Sequence, residues 1–363
     1  MISNFNPPNR FAASYSLLRQ AIANRAFPGC AFGVLDNNEI VLTDALGRFT
    51  YEESDPAVTP HTVYDIASIT KILSTTAAAM LLYQRGLLDL DTPLADLLPS
   101  FVEGRATADS ARRITLRHLL AHNSGLPGYV EFFRTAATEE DLLQSCLTLP
   151  IETAPGSRAE YSDPGFILLG KAIESLTGET FATWVPREIL HPLGLSSTCF
   201  CPSSAAHAII PPTEEDTTFR HRRIQGEVQD ENAWLLGGVA GHAGLFSNVA
   251  DLLRFAREIL SAANSADAQL FNRSTVELFA HRQGPEGSSR ALGWDTPSQN
   301  SSSGSYFSPH SVGHLGYSGT SLWIDLNAGI AIALLTNRTW PDRKSPLIRQ
   351  VRPAFHDTIR EAL

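Results

Sequence analysis

Apolar residues recur at helical spacing over residues 12–25 (AASYSLLRQAIANR), which predicts an N-terminal helix. The next stretch, CAFGVLDNNEIVLTDALGRFTY, is apolar on both sides of Asp36-Asn37-Asn38 and predicts a two-stranded hairpin. After a polar run rich in Pro and Asp (52–60) comes a segment, 68–85, that is apolar nearly all round and stops at Gly86. Such a helix has no face to offer water and belongs at the centre of the molecule.

The middle of the chain reads as helices with identifiable starts. Thr115 is placed to cap a helix over 116–122. Asp163-Pro164 has cap and first-turn character ahead of GFILLGKAIESL, with Gly178 as the stop, and Ser247-Asn248 precedes VADLLRFAREIL in the same way. The C-terminal part returns to strands: RALGWDT (290–296), SVGHLGYSG (311–319), TSLWIDL (320–326) and GIAIALLTN (329–337), then a closing helix over 346–363. A Ser/Gly-rich loop at 298–305 is expected to be mobile. With strands at both ends and helices between, the expected class is α/β of the α+β kind. One antiparallel sheet, flanked by terminal helices, is built from 1–72 and 285–363, with a mostly helical domain inserted at 73–284.

Composition narrows the function classes. A chain of 363 residues, 43% apolar and 18% charged, can bury a sizeable core and is ordinary for a globular enzyme. Its net charge of −10 argues against nucleic acid, and the one basic cluster, His221-Arg222-Arg223, is too short for a patch and reads as a solvated loop. No apolar run reaches the roughly 18 residues that span a bilayer. Residues 1–8 are polar and carry no export signal, so a cytoplasmic location is expected of the chain as it stands, or a periplasmic or extracellular one if a leader was trimmed. Cys30, Cys146, Cys199 and Cys201 are too few for a disulfide framework. Cys199 and Cys201 lack a partner at zinc spacing and read as small buried hydrophobes. His118 and His122 lie at i, i+4 without a third ligand, so packing is preferred there and neither metal nor cofactor is expected. With nucleic acid and a membrane span set aside, a small-molecule or peptide-like substrate is the expected partner; the oligomeric state is not legible.

The chemistry concentrates at Ser68-Ile69-Thr70-Lys71. Positions i and i+3 share a helix face, so Lys71 can reach the Ser68 hydroxyl. At a helix start the Ser68 N–H has no intrahelical acceptor and is free to hold an oxyanion. With 33 serines and three lysines, roughly 0.3 such spacings are expected by chance, so the motif alone says little. The residue type says more: 25 of the 28 basic residues are arginine, yet a lysine sits in this apolar helix. A buried amine can shift its pKa, whereas a guanidinium stays charged. A lysine snorkelling to the surface is the competing structural reading.

Together with Tyr161-Ser162-Asp163 and His314-Leu315-Gly316, in that order, these residues make the sequence resemble the class C β-lactamase family. That family includes D-alanyl-D-alanine carboxypeptidases, penicillin-binding proteins, related esterases and muropeptide amidases. ITLRHLLAHNSGLPG, PGSRAEYSDPGFILLG, GHAGLFSNVADLLRF and GHLGYSGTSLWIDL extend the likeness over nearly the whole chain. The resemblance implies a β-lactamase/transpeptidase-like fold, Ser68 as acylated nucleophile, Lys71 as its proton-network partner and Tyr161 as general base. It further implies that Ser68 and Tyr317 N–H groups form the oxyanion hole. Asp163, His314, Gly316, His242 and Asn337 become candidate substrate contacts, the last two at the pocket rim. A Lys71 cation is expected to make Tyr161 easier to ionise than a free phenol near 10. Departures from the pattern are Asp163 for Asn, Leu315 for a hydroxyl residue, and His314 for a lysine, so His314 is expected to be charged only part of the time near neutral pH. The implied activity is amide or ester cleavage through a Ser68 acyl-enzyme on a β-lactam, a cell-wall peptide or muropeptide, or an ester. A carboxylesterase with little β-lactamase activity, a penicillin-binding sensor that stays acylated, and a non-catalytic binder are the alternatives.

Overall fold

The structure is a computed structural model and describes residues 9–105, 107–264 and 267–363; the polar run 1–8, read for export signals, lies outside the described residues. Strands β1 (Gly29–Asp36) and β2 (Glu39–Gly47) form the hairpin, turning through Asn37 and Asn38 at φ of 47° and 70°. Asparagine tolerates that left-handed conformation, which a tight two-residue turn requires twice. Strands β3 (Ser311–Leu315), β4 (Ser321–Asp325) and β5 (Ile330–Thr336) complete one antiparallel sheet in the order β2-β1-β5-β4-β3. The two ends of the chain meet at β1 and β5, in register as Phe32 with Leu334 and Val34 with Ile332. Every β5 residue is buried, which is why that strand reads as an unbroken apolar run.

The helices that set the site are α1 (Ala12–Ala23), α2 (Ala77–Gln84), α3 (Asp163–Thr177), α4 (Val249–Ala263) and α5 (Ile348–Arg360). One sheet face is covered by α1 and α5 through Tyr15, Leu18, Phe32, Trp323, Phe355 and Ile359. Against the other face lies α4, so close that a Cβ on Gly33 would stand 2.5 Å from Val249 Cγ1. No helix among the described residues is long and apolar enough to cross a membrane.

Several local expectations change. The apolar segment from Ser68 is not one α-helix: a 3-10 turn (Ala67–Ile69) leads into a π-helix (Lys71–Thr76) and only then into α2. Ser74 Oγ donates to Thr70 O at 2.6 Å and Thr75 Oγ1 to Gly241 O at 2.6 Å, so one hydroxyl occupies a carbonyl of the widened turn and the other ties that turn to the segment at Gly241. Residues 290–296 form only isolated bridges, because left-handed Gly293 folds the segment back against Thr76. The loop 298–305 is tied to α5, with Ser305 N–H on Asp357 Oδ1 at 2.6 Å and Ser303 buried. Arg222 and Arg223 belong to a short strand paired with Glu214–Asp216, their side chains in ion pairs with Glu227 and Glu215. Cys199 and Cys201 are exposed, unlike Cys30 and Cys146, because the two-residue strand that Cys199 begins and Cys201 follows lies at the edge of its small sheet. The helix begun at Thr115 ends early, at Leu120.

Candidate active site

The site begins at the end of a short strand, Tyr64–Asp65, paired with Leu245–Ser247. Ala67 then adopts φ of 46°, a conformation costly for a residue with a Cβ, and the chain turns so that half-buried Ser68 lines a cleft of about 880 Å³. The turn is held on several sides. Asp65 accepts the Ala67 N–H at 2.8 Å and the Gln229 N–H at 2.7 Å, Ser318 Oγ donates to Asp65 O at 2.8 Å, and Thr320 Oγ1 to Ile66 O at 3.1 Å. Burial pushes the Asp65 carboxyl up to about 6, against those hydrogen bonds.

Lys71 is completely buried. Its Nζ donates to Ser68 Oγ at 3.0 Å, Asp163 Oδ1 at 2.6 Å and the His242 carbonyl at 3.1 Å, so three acceptors match the three N–H groups of an ammonium. Burial works to lower this amine, but attraction to Asp163 and Tyr161 outweighs it and holds the lysine above its ordinary value. Asp163 is available for this because it is not the cap of α3. Ser162 is: its Oγ accepts the Gly165 N–H at 3.1 Å, which leaves Asp163 in the first turn with its carboxylate turned to Lys71.

Tyr161 precedes α3 on an extended segment. The Lys71 ammonium lies 4.8 Å from its ring centre and the Arg290 guanidinium 5.2 Å, with the His122 ring at 4.6 Å and the His314 ring at 5.8 Å. Burial raises this phenol; the Lys71 cation opposes it, Asp163 adds to it, and the net is a phenol harder to ionise than a free one. The expectation of an easier ionisation is thus reversed, because burial, with Asp163 adding to it, outweighs the cation that was to supply it.

His314 is buried on β3, its Nδ1–H donating to Leu315 O at 2.8 Å, with Nε2 unpartnered among the described residues. Burial, then the nearby Lys71 and Arg290 cations, pull it well below an ordinary histidine, so it is neutral rather than partly charged. A neutral imidazole with a bare Nε2 accepts hydrogen bonds and offers no cation to a carboxylate. Gly316 makes a close approach, though to protein: a Cβ there would sit 2.5 Å from Ile66 O and 1.9 Å from Thr320 Oγ1. Glycine is therefore what lets β3 lie against the turn carrying Ser68. Arg352 on α5 donates to the Gly316 carbonyl and, at 3.3 Å, to Gly319 O, fixing the segment on which Tyr317 lines the cleft.

Two candidates are not at the rim. His242 is buried, with Nε2 paired to Asp230 Oδ1 at 2.9 Å; what it gives the site is its backbone carbonyl. Asn337 is buried at the end of β5 and donates to Phe49 O at 2.8 Å and Pro212 O at 2.9 Å, a loop tie away from the cleft lining. His118 sits in the capping box with Thr115, and His122 stacks on Phe166 at 4.8 Å, so both pack. Sequence reading missed Arg290, hidden in a segment taken for a strand, and Asp230, whose visible signal was only that of a helix cap.

Comparison with known proteins identifies the family. The profile of the Beta-lactamase family matches residues 16–352. An N-acetylmuramyl-L-alanine amidase of Bacillus subtilis (strain 168) is 31% identical over 342 residues, 86% of this chain and 77% of that protein. A protein of Escherichia coli (strain K12), named provisionally as a D-alanyl-D-alanine carboxypeptidase, is 30% identical over 342 residues, with 86% and 79% covered. Among solved structures, EstCE1, a hydrolase with promiscuous acyltransferase activity, superposes with TM-score 0.75 at 23% identity over 96% of this chain and 99% of its own. A penicillin-binding protein homologue from Caulobacter crescentus gives 0.74 at 18% identity, covering 97% and 98%. From the family match over most of its length, the chain belongs to the β-lactamase family and is a serine hydrolase.

Proposed function

We propose that the chain cleaves an ester or amide by acyl transfer to Ser68, in the manner of the class C-like branch of its family. The observation that carries this reading is the saturated ammonium of Lys71. Its N–H groups go to Ser68 Oγ, Asp163 and His242 O, so it donates to the nucleophile and does not take its proton. The neighbouring group left to accept that proton is Tyr161 in its phenolate form, which Lys71 favours while burial and Asp163 make it the minor form that grows as pH rises. Ser68 Oγ then bonds to the substrate carbonyl carbon, the proton passes through Tyr161 to the leaving group, and Tyr161 next activates the water that releases the acyl group. The Ser68 and Tyr317 N–H groups hold the oxyanion.

Substrate choice follows from what faces the cleft. Asp163 only accepts, Leu315 brings no hydroxyl, and neutral His314 gives no cation, so three contacts useful to a β-lactam are lost. Esters and cell-wall peptides or muropeptides fit better. The segment GEVQDENAWLLGGVAGHAGLFS resembles family members of muropeptide turnover, and a relative is named as an N-acetylmuramyl-L-alanine amidase. The test is a panel of short-chain p-nitrophenyl esters, nitrocefin, D-Ala-D-Ala peptides and muropeptides with wild type and Ser68→Ala. The expected result is ester or muropeptide turnover above nitrocefin, abolished by the substitution, with a transient acyl adduct by intact mass. Activity surviving in Ser68→Ala overturns the site, and an adduct that never decays converts the reading to a sensor.

A further inference from the structure

Tyr161 has to meet Ser68 with its phenol correctly placed, and it sits on an extended segment with no regular partner strand. One residue from a different part of the chain grips that segment three times. The His122 carbonyl accepts the Glu160 N–H at 2.7 Å, and its Nδ1 accepts the Ser162 N–H at 3.0 Å. Its ring lies on the Tyr161 ring with centres 4.6 Å apart and, on the other side, on Phe166 at 4.8 Å. In an extended segment the N–H groups of alternate residues point to one edge, so holding 160 and 162 along that edge fixes the backbone orientation and with it the face from which Tyr161 projects. The ring contact then restricts the phenol's own rotation.

The backbone of His122 is shaped for this. It lies just past the end of the helix Leu116–Leu120, at φ of 54°, a left-handed conformation in which His and Asn are enriched. That turn lets one residue present both its carbonyl and its ring to the same segment. Because Nδ1 accepts from a backbone N–H, the ring proton is on Nε2, which is buried and without a partner among the described residues. Burial, then the Arg290 and Lys71 cations, hold the imidazole neutral, so the Nδ1 acceptor persists.

We propose that His122 is the positioning residue for Tyr161, holding the backbone on both sides of the phenol and packing against its ring. This rests on the reading of Tyr161 as the base, and the test separates the two. His122→Phe keeps a ring but loses the acceptor; His122→Asn keeps an acceptor and tolerates the left-handed backbone, but loses the ring. Each is made alone and in a Tyr161→Phe background, and ester acylation is followed by single-turnover kinetics and intact mass, with circular dichroism confirming the fold. His122→Phe is expected to lower kcat/KM about a hundred-fold, carried by kcat, as for a catalytic group displaced by about an ångström. His122→Asn is expected to recover part of that loss. In the Tyr161→Phe background either change is expected to cost under about threefold, since residues acting as one unit are not additive. A full hundred-fold loss persisting in that background, or wild-type kcat in both single variants, overturns the proposal. If Tyr161→Phe itself turns over like wild type, the base assignment fails and takes this proposal with it. Should His122→Phe not fold, His122→Asn carries the same cycle.

Discussion

At the scale of single residues, the site is a set of charges that compensate one another. Asp163 raises both Lys71 and Tyr161 above what they would otherwise be. Removing that carboxylate lowers both, so Asp163→Asn is expected to move the ascending limb of kcat/KM to lower pH, read on an ester between pH 6 and 10. A limb that stays put or moves up removes Asp163 from the network. In the wild type, a base held above its ordinary value gives a rate that climbs through neutral pH and beyond. No inflection near 6.5 is expected, since His314 does not charge there. Gly316→Ala tests contact rather than charge. Its Cβ would collide with Ile66 O and Thr320 Oγ1, and overpacking of this kind costs about 1–3 kcal/mol. The strain falls on the turn carrying Ser68, so turnover should drop together with the denaturation midpoint.

At the scale of the element, α3 is built so that its two ends do different work. Ser162 caps the N-terminus and thereby frees Asp163 for Lys71. Ser162→Ala is expected to cost about 1 kcal/mol of stability and to reduce turnover as well, because Asp163 becomes the available cap. Gly178 ends the same helix at φ of 68° with open space around it. Gly178→Ala should therefore cost about 1 kcal/mol through backbone strain alone. Urea denaturation and ester assays on the two variants check the contrast: equal activity loss at both ends would remove the special role given to the N-terminus. The segment of Ser68 and Lys71 shows what periodicity cannot resolve. Its apolar character correctly placed it in the core, but it winds as 3-10, then π, then α, with the Ser74 hydroxyl bonded back to Thr70 O and the Thr75 hydroxyl to Gly241 O of a distant segment.

At the scale of the whole molecule, the sheet closes only when both ends of the chain are present. Helices α1 and α5 cover its outer face, and Arg352 of α5 reaches the Gly316 carbonyl beside the cleft. A chain ending at residue 343 keeps Ser68, Lys71, Tyr161, Asp163, His314 and Tyr317, yet uncovers Trp323, Phe32 and Ile332. It is expected to lose cooperative unfolding in urea and to turn over no ester. A truncated chain with a sharp transition would show that α5 is an accessory and not part of the core.

Much of this was legible in the linear pattern. Asn-Asn between apolar runs specified the hairpin, unbroken apolar runs specified buried strands, and the spacing of Ser68 and Lys71 on one helical face brought hydroxyl and amine together, since all are local consequences of backbone geometry. Short-range order could not show what becomes of a charge once water is removed. That His314 is neutral, that Tyr161 is harder rather than easier to ionise, and that His242 and Asn337 face inward depends on neighbours far away in sequence. Those neighbours fix burial, counter-charge and hydrogen-bond partners, and only the packed molecule assembles them.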